Sequence, residues 1–401
     1  MALNILAQIE KLEDKLIGLR RHLHENPELS GFEFKTLELI RNRLTELEIP
    51  FIECPAGGIL GFVENGNSGR TVLLRGDIDA LPVTESAANL CREKTVVSKV
   101  EGASHICGHD AHTANMLAAA EILRKNREFI DGKVILCFER AEENGGPDRK
   151  YGARALLNFF KERNWRIDSC FAIHVNPEMK SGTISANEGA VMAGGGAFRA
   201  KIIGSSGHAA RPDRANHPLD CFVAFYQALL NFRLKHASPF TPLTISVPVV
   251  NTGTQRNVID DELTFSGTVR FFRPEIGEMF EREFRRALGH IAAAYHCEHE
   301  VEICFTVPPV VNDKKSSRVA RGAVAKYIGE ERLTVSEPLM ASEPMGLYLS
   351  RYTGTLAFLG IANDTCGSGA ELHNARFDID EAALKYGVAA YVGYALDSLS
   401  V

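Results

Sequence analysis

Apolar residues recur at helical spacing between residues 4 and 25, at Ile5, Ile9, Leu12, Leu16, Leu19 and Leu23. They predict one amphipathic helix, which the proline of "NPELS" ends. A second helix is expected at about residues 33–48. The runs "GILGFVENG" and "RTVLLRGDIDALPV" read as strands bounded by glycine, and the second leads straight into acidic residues. Next come a helix, "TANMLAAAEILRKN", and a buried strand with a polar turn, "KVILCFERAEENGG". A further helix, "YGARALLNFFKER", precedes the strand "SCFAIHVNP", which carries a histidine at its end. Strands alternating with helices predict an α/β sheet, and such sheets place ligands beyond the carboxyl ends of their strands.

From about residue 190 the pattern changes. "VMAGGGAFRAKIIGSSGHAARP", a helix near 216–236, "LTISVPVV", "LTFSGTVRFF", a helix near 275–296 and "EHEVEICFTV" follow a β-α-β-β-α-β order. That is the order of a split βαβ sandwich. The strand "TLAFLGI" and the helix "EAALKYGVAAYVGYAL" then return to the first texture. The expected organisation is an α/β domain of residues 1–189 and 306–401, interrupted by an α+β domain of residues 190–305. The length of 401 residues agrees, because it exceeds what one core usually organises.

Composition narrows the function classes. With 45% hydrophobic and 24% charged residues, the chain is an ordinary globular protein. A formal charge of -6 and the lack of any basic run argue against a nucleic-acid partner. Glu10, Glu13 and Asp14 make the amino terminus unlike a signal peptide, and no apolar run is long enough to cross a bilayer, so no membrane partner is expected. Nine cysteines without short paired spacings do not form a disulfide framework, and a reducing cytoplasm is expected. Cys137, Cys170, Cys221 and Cys304 sit among apolar neighbours and are expected to be buried.

Residues 105–112, "HICGHDAH", concentrate the candidate chemistry. Cys107 and His109 are two apart, so extended or turn backbone lets both face one cation. Thiolate with imidazole suits zinc and other borderline divalent metals. The plainer alternative is a polar loop before a helix, capped by Asp110 or Thr113. "FERAEENGG" supplies Glu142 and Glu143, which on extended backbone point to opposite sides. One can then bind a metal while the other faces bound water as a base, although a solvated charged loop would look the same. His174 and His373 each read alone as structural histidines. Together with Cys107, His109 and Glu143 they make five donors, enough for two ions sharing a water. Asp77 and Asp79 share one side of an extended segment and can orient a ligand histidine or cap a strand end.

Assembled in order, these segments resemble the di-metal amidohydrolases that include hippurate hydrolase, N-acyl-amino-acid amidohydrolases and the plant auxin-conjugate hydrolases. "RRHLHENPELSGFEFKT", "LLRGDIDALPVTE", "HICGHDAHT", "AEENGG", "IHVNPEMKSGTI", "GHAARPD", "RNVIDDELTFSGTVRFF" and "LHNARFDIDEAAL" carry the resemblance nearly end to end. It implies a mixed-sheet di-metal peptidase-like catalytic domain with an inserted lid and dimerisation domain, hence a homodimer. It implies two divalent ions, zinc or manganese first and cobalt or nickel as alternatives, on Cys107, His109, Glu143, His174 and His373. Glu142 becomes the general base and later the proton donor. His208 would help hold the scissile carbonyl, Asn257 would contact the substrate, and Arg270 would meet its carboxylate. Glu343 lies where relatives have an acidic residue near the metals, and Asp110 is expected to support the ligand loop.

The implied activity is cleavage of the amide bond of an N-acyl amino acid or peptide. The chain departs from the family pattern at Glu139 and Arg140, at Pro344 and Met345, at Ala375, and in the longer turn "ENGGPDRKYGA". All metal ligands survive these changes, which fall instead on the surface expected to meet the acyl group. A dipeptidase or carboxypeptidase, a catalytically idle metal-dependent binding protein, and a hydrolase using Cys107 as nucleophile remain as alternatives.

Overall fold

The computed structural model describes residues 3–65, 69–144 and 150–400. Two compact units divide the chain. One comprises Met1–Gly189, Val311–Glu337 and Leu347–Val401, and the other Ala190–Val310 and Pro338–Gly346. Residues 145–149, within the longer turn after the glutamates, lie outside the described residues.

The first unit is built on an eight-stranded mixed sheet. Its order is Phe51–Cys54, Gly58–Asn65, Gly132–Glu139, Thr71–Asp77, Ser169–Lys180, Gly354–Ala362, Ile184–Ser185 and Leu333–Thr334. The four strands from Gly132–Glu139 to Gly354–Ala362 run parallel. Their runs of Val, Leu, Ile and Phe are buried on both faces, as parallel strands require. The register pairs Asp77 with Glu139 and Arg75 with Ala172. Asp77, Glu139 and His174 therefore sit at one level across three neighbouring strands, at the carboxyl-end side.

Against this sheet packs the helix His109–Lys125, buried without interruption from His109 to Leu123. Its alanine-rich face lets it lie under the helices Glu13–Glu25 and Leu384–Leu399 as well. It starts four residues before the predicted "TANM", because Gly108 turns the chain with φ 87°; a β-carbon there would collide with the Val175 side chain. The amino-terminal helix is two helices, Ile5–Glu10 and Glu13–Glu25. A helix over Lys314–Tyr327, which the pattern did not single out, is capped by Asp313, whose side chain accepts from the Ser316 N–H.

The second unit has the β-α-β-β-α-β order. Its antiparallel sheet runs Leu243–Asn251, Glu262–Phe271, Gly194–Ile203, Glu298–Val307. The helices Pro218–Leu230 and Pro274–Ala294 bury Phe225, Phe280, Phe284 and Leu288 against Phe198 and Phe265 of the sheet. Phe280, Phe284 and Leu288 recur every four residues, the spacing of one helix face. Cys137, Cys170 and Cys221 are buried, but Cys304 is exposed. Strand alternation puts it on the outer face with Glu300 and Glu302, so its apolar neighbours in sequence are not its neighbours in space. Among the described residues no helix is long and apolar enough to cross a membrane.

Candidate metal centre

The predicted donors reach the site from several elements of the first unit. Asp77 ends its strand, and Asp79 follows two residues later. Glu142 and Glu143 follow the strand Gly132–Glu139 after Ala141, which is left-handed at φ 54°. His174 lies within its strand, and His109 opens the buried helix just after Cys107. His373, itself at φ 65°, is brought beside Cys107 by its backbone N–H, which donates to the Ile106 carbonyl at 2.8 Å.

The five predicted ligands form two triads of converging donor atoms, Cys107–His109–His174 and Cys107–Glu143–His373, and Cys107 is common to both. Glu142 belongs to neither; it converges instead with Asp79 and His109, its Oε2 lying 3.8 Å from His109 Nε2. Among the described residues, His109 Nε2 and Glu143 Oε1 are buried and make no hydrogen bond. They stand 3.8 Å apart, and His373 Nε2 is 3.5 Å from the same carboxylate oxygen. Cys107 Sγ lies 3.6 Å from His174 Nε2.

The hydrogen bonds at the far ring nitrogens decide which histidines can donate a lone pair. His174 Nδ1 donates to the Val175 carbonyl at 2.7 Å, which leaves Nε2 free of its proton and aimed at Cys107. Burial, then the nearby His112, lowers its pKa to about 3, so the ring is neutral. His109 Nδ1 is held by Asp79 Oδ1 at 3.2 Å, again leaving Nε2 for the site. His112 is committed on both sides. Its Nδ1 donates to Asp77 Oδ1 at 2.6 Å, and its Nε2 accepts from the Val175 N–H at 3.0 Å. These partners give the physical reason why His109, and not its neighbour His112, has a nitrogen to spare for the site.

Buried orphan donors, a thiolate-forming sulfur and imidazoles with one ring nitrogen turned to the site are the set a divalent transition metal takes. Burial and then the Glu143 charge push the Cys107 thiol well above the usual range. A thiolate there needs a cation beside it. The same shift weakens the nucleophile alternative, which calls for a lowered thiol pKa.

Asp110 does not face the donors. Its Oδ2 lies 2.8 Å from both Arg20 Nε and His24 Nδ1, and His24 Nε2 lies 3.1 Å from Glu85 Oε1. Burial opposes ionisation of Asp110, but Arg20 and His24 hold its carboxyl far below the usual range. Asp77 is fixed from behind by Arg75, which also donates to Glu139 Oε2, and Tyr348 donates to that same oxygen. The sequence reading missed Arg75 and Tyr348. An arginine inside the apolar run "TVLLRGD" was the available signal.

The remaining predicted residues lie in the second unit. His208 is exposed, and its Nδ1 accepts from the Ala210 N–H at 3.0 Å. Asn257 is its neighbour, because Val258 pairs with His208 and the Asn257 carbonyl accepts from the Ala209 N–H. Arg270 is not brought to them. It ends the strand Glu262–Phe271 whose beginning lies near Asn257, about 27 Å away at roughly 3.4 Å per residue. Its Nη1 donates to the Val269 carbonyl. Glu343 is buried and accepts from the Met345 N–H at 2.9 Å.

Residues 73–397 match the peptidase family M20/M25/M40. The chain belongs to this M20 family. It is 31% identical over 395 residues to the IAA-amino acid hydrolase ILR1-like 4 of Arabidopsis thaliana, covering 97% of this chain and 87% of that one. It is also 31% identical to the thermostable carboxypeptidase 2 of Saccharolobus solfataricus, over 96% of this chain and 95% of the relative. The solved YXEP protein of Bacillus subtilis, a dinuclear metal binding peptidase of the M20 family, superposes with a TM-score of 0.83 at 29% identity, covering 98% of this chain and 99% of that one. The M20 chain is a hydrolase of amide or peptide bonds that works with divalent metal ions.

Proposed function

We propose that the protein hydrolyses the amide bond of N-acyl amino acids or related amino-acid conjugates, with Glu142 as general base. The observation that carries this reading is the place of Glu142. Its carboxylate converges with Asp79 and His109 without belonging to either donor triad, 3.8 Å from His109 Nε2. A carboxylate so placed can serve a water held there instead of serving the metal. Two divalent ions on Cys107, His109, Glu143, His174 and His373, zinc or manganese by choice of donors, would polarise the carbonyl and lower a water's pKa from about 15.7 toward 7.

Glu142 then takes the proton from the water and returns it to the leaving nitrogen. Asp79 and the Val175 carbonyl keep the two imidazoles turned the right way throughout. In the second unit, His208 Nδ1 accepts a hydrogen bond, so in the neutral ring Nε2 carries the proton. That makes it a donor for a carbonyl oxygen turning negative. Asn257 beside it would touch the substrate, whereas Arg270, about 27 Å along its strand at roughly 3.4 Å per residue, is too far within one chain to meet the carboxylate of the same small substrate. Glu343 would adjust the charge around the metals.

The second unit would act as lid and as the dimer interface. Its strand Leu243–Asn251 is at a sheet edge, and Leu230, Leu234, Phe240, Val249 and Val250 are exposed near it in the chain. The nine free cysteines fit a cytoplasmic setting.

A dipeptidase or carboxypeptidase is the second reading, favoured by the carboxypeptidase relative. Apo protein reconstituted separately with zinc, manganese, cobalt or nickel distinguishes the two. N-acyl amino acids are expected to turn over faster than free dipeptides or longer peptides. The reverse preference would hand the assignment to the second reading, and tight binding without turnover would make the protein a binder.

A further inference from the structure

Ala141 is the one residue between Arg140 and the two glutamates, and it is buried in a left-handed conformation that alanine rarely adopts. Its conformation sets the direction in which Glu142 and Glu143 leave the sheet. Something in the fold must hold it there, since the alanine has no local preference for that state.

The holding group is Glu33, fully buried and 107 residues away in sequence from Arg140. Glu33 Oε1 accepts from the Ala141 N–H at 2.7 Å and from the Gly31 N–H at 2.7 Å. Its other oxygen, Oε2, accepts from Arg140 Nε at 2.9 Å. The guanidinium is used on every side. Nη1 donates to the Pro55 carbonyl at 2.9 Å and Nη2 to the Gly31 carbonyl at 2.6 Å. Its carbon lies 5.6 Å from the Phe34 ring centre and 5.5 Å from that of Tyr151. Downstream of the glutamate pair's first member, the Glu143 N–H donates to Asp79 Oδ2 at 3.0 Å. The turn is thus pinned from both ends, by Glu33 before the glutamates and by Asp79 among them.

We propose that Arg140 and Glu33 are positioning residues that clamp Ala141 left-handed and thereby aim Glu142 and Glu143 at the donor site. The proposal rests on the reading of Glu143 as ligand and Glu142 as base. A buried ion pair by itself is weak evidence for stability, because desolvation offsets much of its attraction. Here the contacts converge on a residue in a sparsely populated conformation next to functional carboxylates, where such strain belongs to the site and not to general packing. Arginine is required by this geometry, since lysine offers neither the planar fork nor the stacking surface.

The test is zinc binding by competition with a chromophoric chelator, together with kcat and KM on the best substrate of the screen above. Arg140→Ala and Arg140→Lys should each weaken one of two zinc sites, the one that uses Glu143, by about 10- to 100-fold. The site using His174 should stay close to wild type, and kcat should drop by a similar factor with KM little changed. If Arg140→Ala fails to fold, the near-isosteric Glu33→Gln should give the same one-site loss. Variants with lower thermal midpoints but wild-type zinc affinities and kcat would overturn the clamp, as would equal loss at both sites. Wild-type protein that binds no zinc, manganese, cobalt or nickel would overturn the ligand reading itself, and the clamp with it.

Discussion

In the first unit, the donor atoms are held by groups that have no other freedom. Asp79 grips His109, the Val175 carbonyl grips His174, and Arg75 with His112 fixes Asp77. Arg75, Asp77 and Val175 lie on the buried parallel strands, Asp79 just past one of them, and His112 on the helix His109–Lys125 packed against the sheet. In the second unit, His208 and Asn257 are exposed on a short two-stranded ribbon, and Arg270 stands at the far end of the neighbouring strand. The contrast is between a preorganised donor site and substrate-facing groups that the second unit alone does not assemble. Buried donors with fixed tautomers suit electrostatic stabilisation, which gains from groups that need not reorganise. Exposed residues spread over a small sandwich can change with the substrate while the chemistry stays the same.

Glu142→Gln should have the largest effect and sharpens the comparison most. Turnover should fall by about 10²- to 10⁴-fold, the usual weight of a general acid–base group, with metal content unchanged. Retained turnover with full metal occupancy would remove Glu142 from the base role. Loss of metal instead would make it a ligand and blur the division between the two triads and their neighbour.

His208→Ala is the matching change in the second unit. Here kcat should fall by about 10²-fold, in the range of a lost oxyanion donor, while zinc affinity stays at the wild-type value. Metal titration beside steady-state kinetics reads both. Should zinc binding weaken with His208→Ala, the two units would not divide metal binding from substrate contact, and the comparison itself would fail.

The chain's own pattern revealed more of the first unit than of its bracing. Strand runs ending in acidic residues and histidines marked the donors because a parallel sheet collects polar groups at one edge. The family resemblance singles out His109 over His112, but the physical reason was hidden, since only Asp79, Asp77 and the Val175 backbone tell the two apart. Arg140 stands out as a departure from the family pattern, on the surface expected to meet the acyl group; it is instead buried against Glu33, a partner 107 residues away that the sequence could not show. Likewise Asp110 has the look of a helix cap or a support for the ligand loop, yet it meets Arg20 and His24 from a helix near the amino terminus. Short-range periodicity reports which face is apolar; it carries nothing about partners tens of residues away.

The smallest expected effect concerns stability, and it asks whether the bracing of the first unit is electrostatic. Glu85 accepts from Lys94 Nζ and the Ser98 N–H and contacts His24, which in turn reaches Asp110 beside the donor helix. Burial would raise its pKa, but His24 and Lys94 bring it down from 4.5 to about 2. Because the folded value lies below the unfolded one, Glu85 stabilises the fold fully above about pH 4.5, and that contribution disappears as pH falls from there toward 2. Glu85→Gln should therefore cost on the order of 2 kcal/mol at pH 7 and progressively less on acidification. Thermal midpoints of wild type and variant, followed from pH 7 to pH 3, should converge. The exposed pair Arg211–Asp213 of the second unit supplies the control, since Asp213→Asn should leave the midpoint nearly unchanged at every pH. A constant gap for Glu85→Gln across the range would show that shape, not charge, carries the brace.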